Sequence, residues 1–443
     1  MSRSTLQMRR LVVVASVMAI CATACSSSGS KTPATTAAPA TTAAAAPTTS
    51  AAPQDTTPIV IGVALPDLSA FTKENAAFGV GDPQQQMEAI LAAAQKAGTA
   101  TINGRPVQFV YHSYSLIDDS AAQTLCNKFA QDDKVFAVLA GINFTQGSEC
   151  LAQRFHIPVI DATGNATSVY QQSAPDYFSL GPDQNVFFKA FVDWADANGY
   201  LKGKKIGVMY DSGEVGEASK AGMDELAAKG YTIAVKVDTG GAGVGSSASQ
   251  VAVQKFQAGN VDLVIPFAGG STEIETLSYA DKQHYKPTIL DLDTFDHAED
   301  VAAGAEPASI YNGTLALTYI RDGEPKAGMT LPDQAQTCLT NYNTFSGKTL
   351  SANQPWASGE VGNTLLSCDL VSVLLQGLKS AASPLTAASF ISGLEGINNL
   401  AASYGGSISF SPTAHWGYHQ VRTVKFDSSC PCWVAQGSFS SLG

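Results

Sequence analysis

The chain has 443 residues, 38 of them acidic and 26 basic, for a formal charge of −12. That balance argues against a nucleic-acid partner, which requires a basic footprint. Setting aside the three arginines of the first ten residues leaves 23 basic against 38 acidic side chains, a charge of −15. Beyond the first 57 residues about 385 remain, enough for two domains or one bilobed unit with a sizeable core.

Arg3, Arg9 and Arg10 precede the apolar run Leu11 to Ile20. A basic start followed by an apolar run too short to span a bilayer predicts a secretory signal over residues 1–24. Ala22-Thr23-Ala24-Cys25 follows directly and resembles the bacterial lipobox, which implies that Cys25 becomes the lipidated first residue of the mature protein. Ala22 stands where Leu is usual, and the other reading is an ordinary Ala-x-Ala cleavage; both export the chain. Residues 25–57 are almost wholly Ala, Thr, Pro and Ser, without aromatic residues or apolar periodicity. Such a stretch cannot offset its chain entropy and is expected to be a disordered tether.

In the folded part, Ile59 to Leu65 predicts a strand, followed by a loop containing Phe71. Gln84 to Ala97 predicts a helix stopped by Gly98, and Asn103-Gly104 a turn before the strand Val107 to Tyr111. Ser120 to Asp132 reads as a helix feeding the apolar run Val135 to Ala140. The polar bend Gly141 to Gln146, the helix Ser148 to Phe155, the strand Ile157 to Ile160 and a second bend, Asp161 to Asn165, complete the repeat. Apolar runs of this length read as strands buried on both faces, as parallel strands are. Both bends then lie at strand carboxyl ends, where open α/β sheets bind ligands. They offer Asn143, Thr145, Thr163, Asn165 and backbone N–H groups near helix starts, with no His, Cys or Lys. These groups suit a small polar molecule or anion; the plainer reading is that any parallel unit needs polar caps there.

A second run of the same kind follows Gly181-Pro182. It has helices at Val186 to Asn198, Glu217 to Lys229, Ser249 to Ala258 and Glu273 to Gln283. They alternate with strands at Lys205 to Tyr210, Tyr231 to Val237, Val261 to Phe267 and Thr288 to Leu292. After the segment Thr314 to Ile320 come helices at Asp333 to Phe345, Val361 to Ser380 and Thr386 to Leu394, and a hairpin-like end from Ser407 to Val434. These late elements make no third core; they are expected to complete the two lobes in turn, so that the chain crosses three times. The predicted class is α/β, two Rossmann-like lobes with mainly parallel sheets.

Outside the leader six cysteines remain, an even number that in an exported chain favours disulfides over metal sites. Cys126 and Cys150 fall on helices flanking one strand, and Cys338 and Cys368 on two later helices, which leaves Cys430 and Cys432 to pair across Pro431. A redox or metal role for that last pair finds no supporting His or third Cys nearby. No Gly-x-Ser-x-Gly elbow, His-Glu-x-x-His or P-loop is present, and the six His residues fall mostly in expected edges or loops. Gly241-Ala242-Gly243-Val244-Gly245 lacks dinucleotide-binding spacing and reads as a flexible connection. We therefore expect no catalytic residue, no cofactor and no metal.

From Pro58 to Val434 the chain resembles the type I periplasmic binding proteins of the branched-chain amino acid family, receptors of ABC importers. Ile59-Val60-Ile61-Gly62-Val63, Asn103-Gly104, Thr145-Gln146, Ile157-Pro158-Val159-Ile160 and Ile206-Gly207-Val208-Met209-Tyr210-Asp211 with Gly216 carry the likeness. So do Cys368-Asp369-Leu370 and Ile408-Ser409-Phe410-Ser411-Pro412. The resemblance implies two lobes joined by three strands that close on a ligand, without catalysis. It assigns residues 58–180 and 316–398 to lobe 1, and 181–315 and 399–443 to lobe 2. It places the ligand shell at Asn143, Phe144, Thr145, Thr163, Gly164 and Asn165 in lobe 1, with Phe71 as a pocket wall or core residue. In lobe 2 the matching positions are Val215, Ser271 or Thr272, and Asp293, whose acid would hold a ligand ammonium group. Val215 and Ser271 or Thr272 stand where aromatic residues are common, a departure from ordinary leucine-like ligands. Asp291, Asp293 and Asp296 also read as a solvated acidic loop. The implied partners are a small molecule, an ABC permease and, through the lipid, the outer face of the cell membrane. The same fold used as an anchored sensor is the alternative.

Overall fold

The computed structural model describes residues 55–67, 80–116, 118–142, 144–213, 216–239, 247–268, 270–292, 294, 297–304, 306–322, 324–353 and 359–442, with backbone alone at 119, 270, 271, 299 and 303. The leader with Cys25, most of the tether, Phe71, Asn143, Val215, Gly241 to Gly245 and Asp293 lie outside these residues.

The first lobe opens with β1 (Ile59–Asp67), α1 (Pro83–Lys96), β2 (Thr101–Ile102), β3 (Arg105–Ser115) and α2 (Asp119–Asn127). Next come β4 (Ala137–Ala140), α3 (Thr145–Glu149), β5 (Val159–Asp161), α4 (Thr167–Ser173) and β6 (Tyr177–Ser179). Among the described residues six strands form its sheet, in the order β2-β3-β1-β4-β5-β6. All neighbours are parallel except the β2–β3 hairpin, turned by Asn103 and Gly104 at φ 50° and 85°. β1 holds a central place because six of its nine residues are buried apolar or glycine. Gly62 has no Cβ because the Phe129 ring occupies that space.

Two boundaries near the first bend differ from expectation. β4 begins at Ala137, since α2 continues as a wider π-type turn over Lys128–Asp133 and the Val135 N–H closes it onto the Phe129 carbonyl at 3.2 Å. α3 begins at Thr145, three residues earlier than the apolar spacing predicts, and continues over Cys150–Arg154.

The second lobe contains α5 (Gln184–Ala197), β7 (Ile206–Tyr210), α6 (Gly216–Ala228), β8 (Ile233–Asp238), α7 (Ser247–Ala258) and β9 (Leu263–Phe267). It continues through α8 (Gly270–Lys282), β10 (Thr288–Asp291), α9 (His297–Ala303), α10 (Ala308–Tyr311) and β11 (Leu315–Thr318). The chain then returns to the first lobe with α11 (Asp333–Ser346), α12 (Glu360–Ser380), α13 (Ala387–Glu395) and the small pair β12 (Leu400–Ala401) and β13 (Ser407–Ile408). It ends in β14 (Gln420–Asp427), β15 (Cys432–Ala435) and β16 (Ser440–Ser441). The second sheet has the order β15-β14-β11-β10-β9-β7-β8, with β16 on β14. β14 lies antiparallel to β11 and β15, so the last strands form an antiparallel edge on a parallel sheet.

The lobe boundaries move from where the sequence places them. β11 pairs wholly within the second sheet, so the second crossing follows Thr318 instead of residue 315. Ala402, Tyr404, Ile408, Phe410 and Tyr418 join the core of the first lobe, so the last crossing follows Tyr418 instead of residue 398. The β12–β13 pair is too short to bury its own apolar face and uses the existing core. Among the described residues, Glu360–Ser380 is long and apolar enough to cross a membrane, yet 83% of its apolar window is buried inside the lobe. The sulfurs of Cys126 and Cys150, of Cys338 and Cys368 and of Cys430 and Cys432 lie within bonding reach of each other.

The crossings are hydrogen-bonded to one another. The Ser179 N–H donates to the His415 carbonyl at 2.9 Å, Tyr418 N–H to Leu180 at 2.8 Å, and Arg321 N–H to Tyr404 at 2.7 Å. Asp369, buried on α12, holds the segment that leads to the last crossing by accepting from the Ser403 and Tyr404 N–H groups at 2.6 and 2.9 Å and from the Tyr418 hydroxyl at 2.8 Å. Burial raises its pKa to about 6, against the opposing pull of those donors.

The first crossing also passes the second bend without room for a side chain. A Cβ on Gly164 would overlap the Pro182 carbonyl, and one on Gly181 the Gly164 amide. Backbone atoms cannot swing aside, so Gly164→Ala is expected to cost roughly 3 kcal/mol, at the upper end of overpacking penalties. Urea unfolding of the two proteins measures it; an unchanged midpoint would mean that the crossing is looser than drawn.

Candidate functional site

β4 and β5 lie side by side and parallel, with Ala140 opposite Asp161, so their carboxyl ends release the chain at the same edge. The first bend is held from below: the Tyr114 hydroxyl donates to the Ile142 carbonyl, and the fully buried Phe144 ring sits 4.7 Å from Tyr114 beneath Gly147. Phe144 therefore reaches the core with its side chain, and only its backbone borders the bend. Phe144 stands at the N-cap of α3, where its ring makes no cap hydrogen bond, and the helix start with its positive dipole end borders the bend.

The second bend is built on Asp161. This carboxylate is fully buried and accepts from the Ser148 hydroxyl at 3.0 Å, the Thr163 N–H at 3.2 Å and, more weakly, the Thr163 hydroxyl at 3.4 Å. Burial raises its pKa to about 7; the bonds from Thr163, Ser148 and Tyr177 oppose that rise without cancelling it. The bends are joined by the Thr145 hydroxyl, which donates to Asn165 Oδ1 at 3.0 Å, while Asn165 Nδ2 donates to the Tyr177 hydroxyl at 2.5 Å. Asn165 is 6% exposed and its amide is engaged at both ends, so it orients Thr145. Thr145 and Thr163 are half-buried. The Gly164 carbonyl accepts from Gln184 Nε2 at 3.0 Å, tying the bend to the start of α5. Beside the bends, at the carboxyl ends of β1, β4 and β5, lies a small cavity of about 40 Å³ with a mainly apolar wall that includes Leu65, Ile142, Ala162, Met87 and Leu366.

In the second lobe Ser271 and Thr272 fall in the first turn of α8, directly after β9. Thr272 is 5% exposed, and its carbonyl accepts from the Thr276 hydroxyl at 2.7 Å. Asp291 closes β10 and is fully buried, so the solvated-loop reading fails for it. Its Oδ2 accepts from the buried Tyr311 hydroxyl and lies 3.3 Å from Nε2 of His297. His297, the first residue of α9, is fully buried too, with Nδ1 on Glu306 Oε2 at 2.8 Å and Nε2 3.8 Å from Glu273 Oε2. The cluster escapes sequence reading, which expects a histidine behind an acid-rich stretch to be solvated. The one available signal is Asp291 itself, an acid ending a strand predicted as buried.

The sequence profile of the periplasmic binding protein family matches residues 85–431. No curated protein matches in sequence. Among solved structures, a leucine-binding protein from Thermotoga maritima superposes with a TM-score of 0.65 at 18% identity, covering 86% of this chain and 99% of its own. A branched-chain amino acid ABC transporter protein from Thermus thermophilus with bound valine gives 0.66 at 14%, covering 88% and 97%. A fatty acid ABC transporter substrate-binding protein from Thermomonospora curvata gives 0.65 at 17%, covering 87% and 93%. At such identities the likenesses establish the shared two-lobed architecture, while the profile, which spans well over half of the chain, establishes kinship. The chain therefore belongs to the periplasmic binding protein family, the extracytoplasmic solute-binding proteins of ABC transporters.

Proposed function

We propose that this chain is a lipid-anchored receptor that captures a small carboxylate-bearing solute between its lobes and delivers it to an ABC permease without altering it. The observation that carries the reading is the pair of bends at the ends of β4 and β5, linked through Thr145 and Asn165 and held by Asp161. Neutral hydroxyls and backbone N–H groups near helix starts suit an anion without supplying a nucleophile. The apolar cavity beside them favours a solute with a short aliphatic part, such as an amino acid. Val215, Ser271, Thr272 and Asp293 form the second wall in this reading, with Asp293 answering a ligand ammonium group. The lobes close by hinge motion about the hydrogen-bonded crossings, and the closed form is what the permease meets. Three cysteine pairs within bonding reach support an oxidising, extracytoplasmic location. The signal, the Cys25 anchor and the tether would keep the body near the membrane.

A thermal-shift screen over amino acids, amides, short carboxylates and fatty acids identifies the ligand class. With the best ligand, Thr145→Val and Thr163→Val are each expected to weaken binding about tenfold in calorimetry, by removing the hydrogen bond with which each hydroxyl holds its bend in place. Unchanged affinity in both would remove the bends from the site.

Anchoring is tested by expressing the full chain in a bacterium with lipoprotein processing. The membrane fraction should hold the protein and Cys25→Ser should release it; equal partition of the two would show that the anchor is not used.

Asp161 makes stability depend on pH in a stated direction. Its folded pKa, about 7, exceeds the ordinary 3.8. The stabilising preference is therefore complete below about pH 4 and lost as pH rises through about 7, with an upper bound of roughly 4 kcal/mol. Asp161→Asn should flatten that part of a stability profile between pH 4 and 8 and leave the contribution of Asp369. A mutant curve parallel to wild type would show that Asp161 is ionised throughout.

A further inference from the structure

The second lobe carries a buried cluster that solute capture does not use. Glu273 in the first turn of α8, Asp291 at the end of β10 and His297 at the start of α9 each present a donor atom, and those atoms lie within 4.8 Å of one another. The His297 side chain is 1% exposed and its Nε2 makes no hydrogen bond, yet it points between Asp291 Oδ2 at 3.3 Å and Glu273 Oε2 at 3.8 Å. We propose that these three side chains bind a divalent transition ion, of the Zn²⁺ or Mn²⁺ class, inside the second lobe.

The ring is set as a metal-binding imidazole is set. Nδ1 bonds to Glu306 Oε2 at 2.8 Å, which fixes the plane and leaves Nε2 as the coordinating nitrogen. The Tyr311 hydroxyl orients Asp291, and the Tyr311 ring stacks on the imidazole with centroids 4.4 Å apart. Metal–ligand bonds of about 2.1 Å in a tetrahedron place donors about 3.4 Å apart. Nε2 and Asp291 at 3.3 Å therefore already fit, Nε2 and Glu273 at 3.8 Å must close by a few tenths of an ångström, and the two carboxylates, within 4.8 Å of each other, must draw together around the ion. One nitrogen and two carboxylates suit Zn²⁺ or Mn²⁺, whereas Ca²⁺ takes six to eight oxygens. Three carboxylates, those of Glu273, Asp291 and Glu306, converge here with side chains at most 1% exposed. Binding would exchange any proton on Nε2 for a dication, offsetting their charge more fully than an imidazolium does. The ion would also pin α8 to β10, the elements that carry Thr272 and precede Asp293. The proposal stands apart from the identity of the solute, since it concerns groups beneath the strand ends.

The full chain is stripped with EDTA, returned to chelator-free buffer and titrated with Co²⁺ and Zn²⁺ without solute. The expected result is one equivalent bound, a visible Co²⁺ spectrum of a nitrogen- and oxygen-ligated ion, and a rise of roughly 3 °C or more in Tm at saturating Zn²⁺. Glu273→Gln should remove the uptake. Glu306→Gln, which leaves all three ligands in place, should weaken it by 10–100-fold, the usual effect of removing the partner of a ligating histidine. Absence of stoichiometric uptake by the wild-type chain would overturn the proposal whether or not the variants fold. Uptake equal in wild type and Glu273→Gln, or a preference for Ca²⁺ over Zn²⁺ and Mn²⁺, would overturn it as well.

Discussion

A parallel strand can be followed by another only if the chain is carried back across the sheet, and this constraint governs the molecule. Each return trip is a helix, so every strand-to-helix bend falls at one edge of its sheet. In the first lobe the bends after β4 and β5 become neighbours because their strands are neighbours, with Ala140 opposite Asp161. Polar groups that are 20 residues apart in sequence, Thr145 and Asn165, then meet in a hydrogen bond. The site is thus a consequence of pairing, and the side chains refine a place that the backbone has already made.

The same constraint explains why the chain crosses between lobes as it does. A helical layer must cover each face of a parallel sheet, and the elements before the first crossing leave one face of the first sheet short of cover. α11, α12 and α13 return to supply it, which is why Glu360–Ser380, with 83% of its most apolar window buried, belongs to the core and not to a membrane. Each return adds a connecting segment, and the segments satisfy one another's backbone groups. Asp369 ties the approach to the last of them to α12 by accepting from Ser403, Tyr404 and Tyr418. A connection built from hydrogen bonds between extended segments, with its anchor in one lobe, can bend without breaking either core.

Much of this architecture is legible in the residues. Continuous apolar runs at Ile59, Val135 and Ile157, punctuated by Gly and Asn, mark strands buried on both faces, and the two bends between them stand out by their hydroxyl and amide content. The ends of elements are less legible because they depend on where backbone bonds close, as at Val135, whose N–H completes a helix before the strand begins. Side-chain direction is less legible still. Phe144 and Asn165 sit in the bends where the sequence places them, yet one fills the core and the other spends its amide on Thr145 and Tyr177. Nothing local in the sequence distinguishes a residue that touches a ligand from one that positions its neighbour. The cluster around His297 is barely visible for a stronger reason: its members come from α8, the end of β10, α9 and the loop after α9, and only the tertiary arrangement brings them together.

The two lobes bury acid in contrasting ways, and the contrast bears on what each acid does. Asp161 is surrounded by neutral donors, from Ser148 and Thr163, that can serve it in either protonation state by rotating a hydroxyl. It needs no counter-charge, because taking up a proton near neutral pH is an alternative to being paired. Glu273, Asp291 and Glu306 are gathered around a single imidazole, and protonating one acid would still leave the others within a few ångströms of each other. Concentrating charge in this way is costly in a low-dielectric interior unless a cation holds the centre. The first arrangement is that of a support for a binding bend. The second has the geometry of a coordination shell, which would hold α8 to the end of β10.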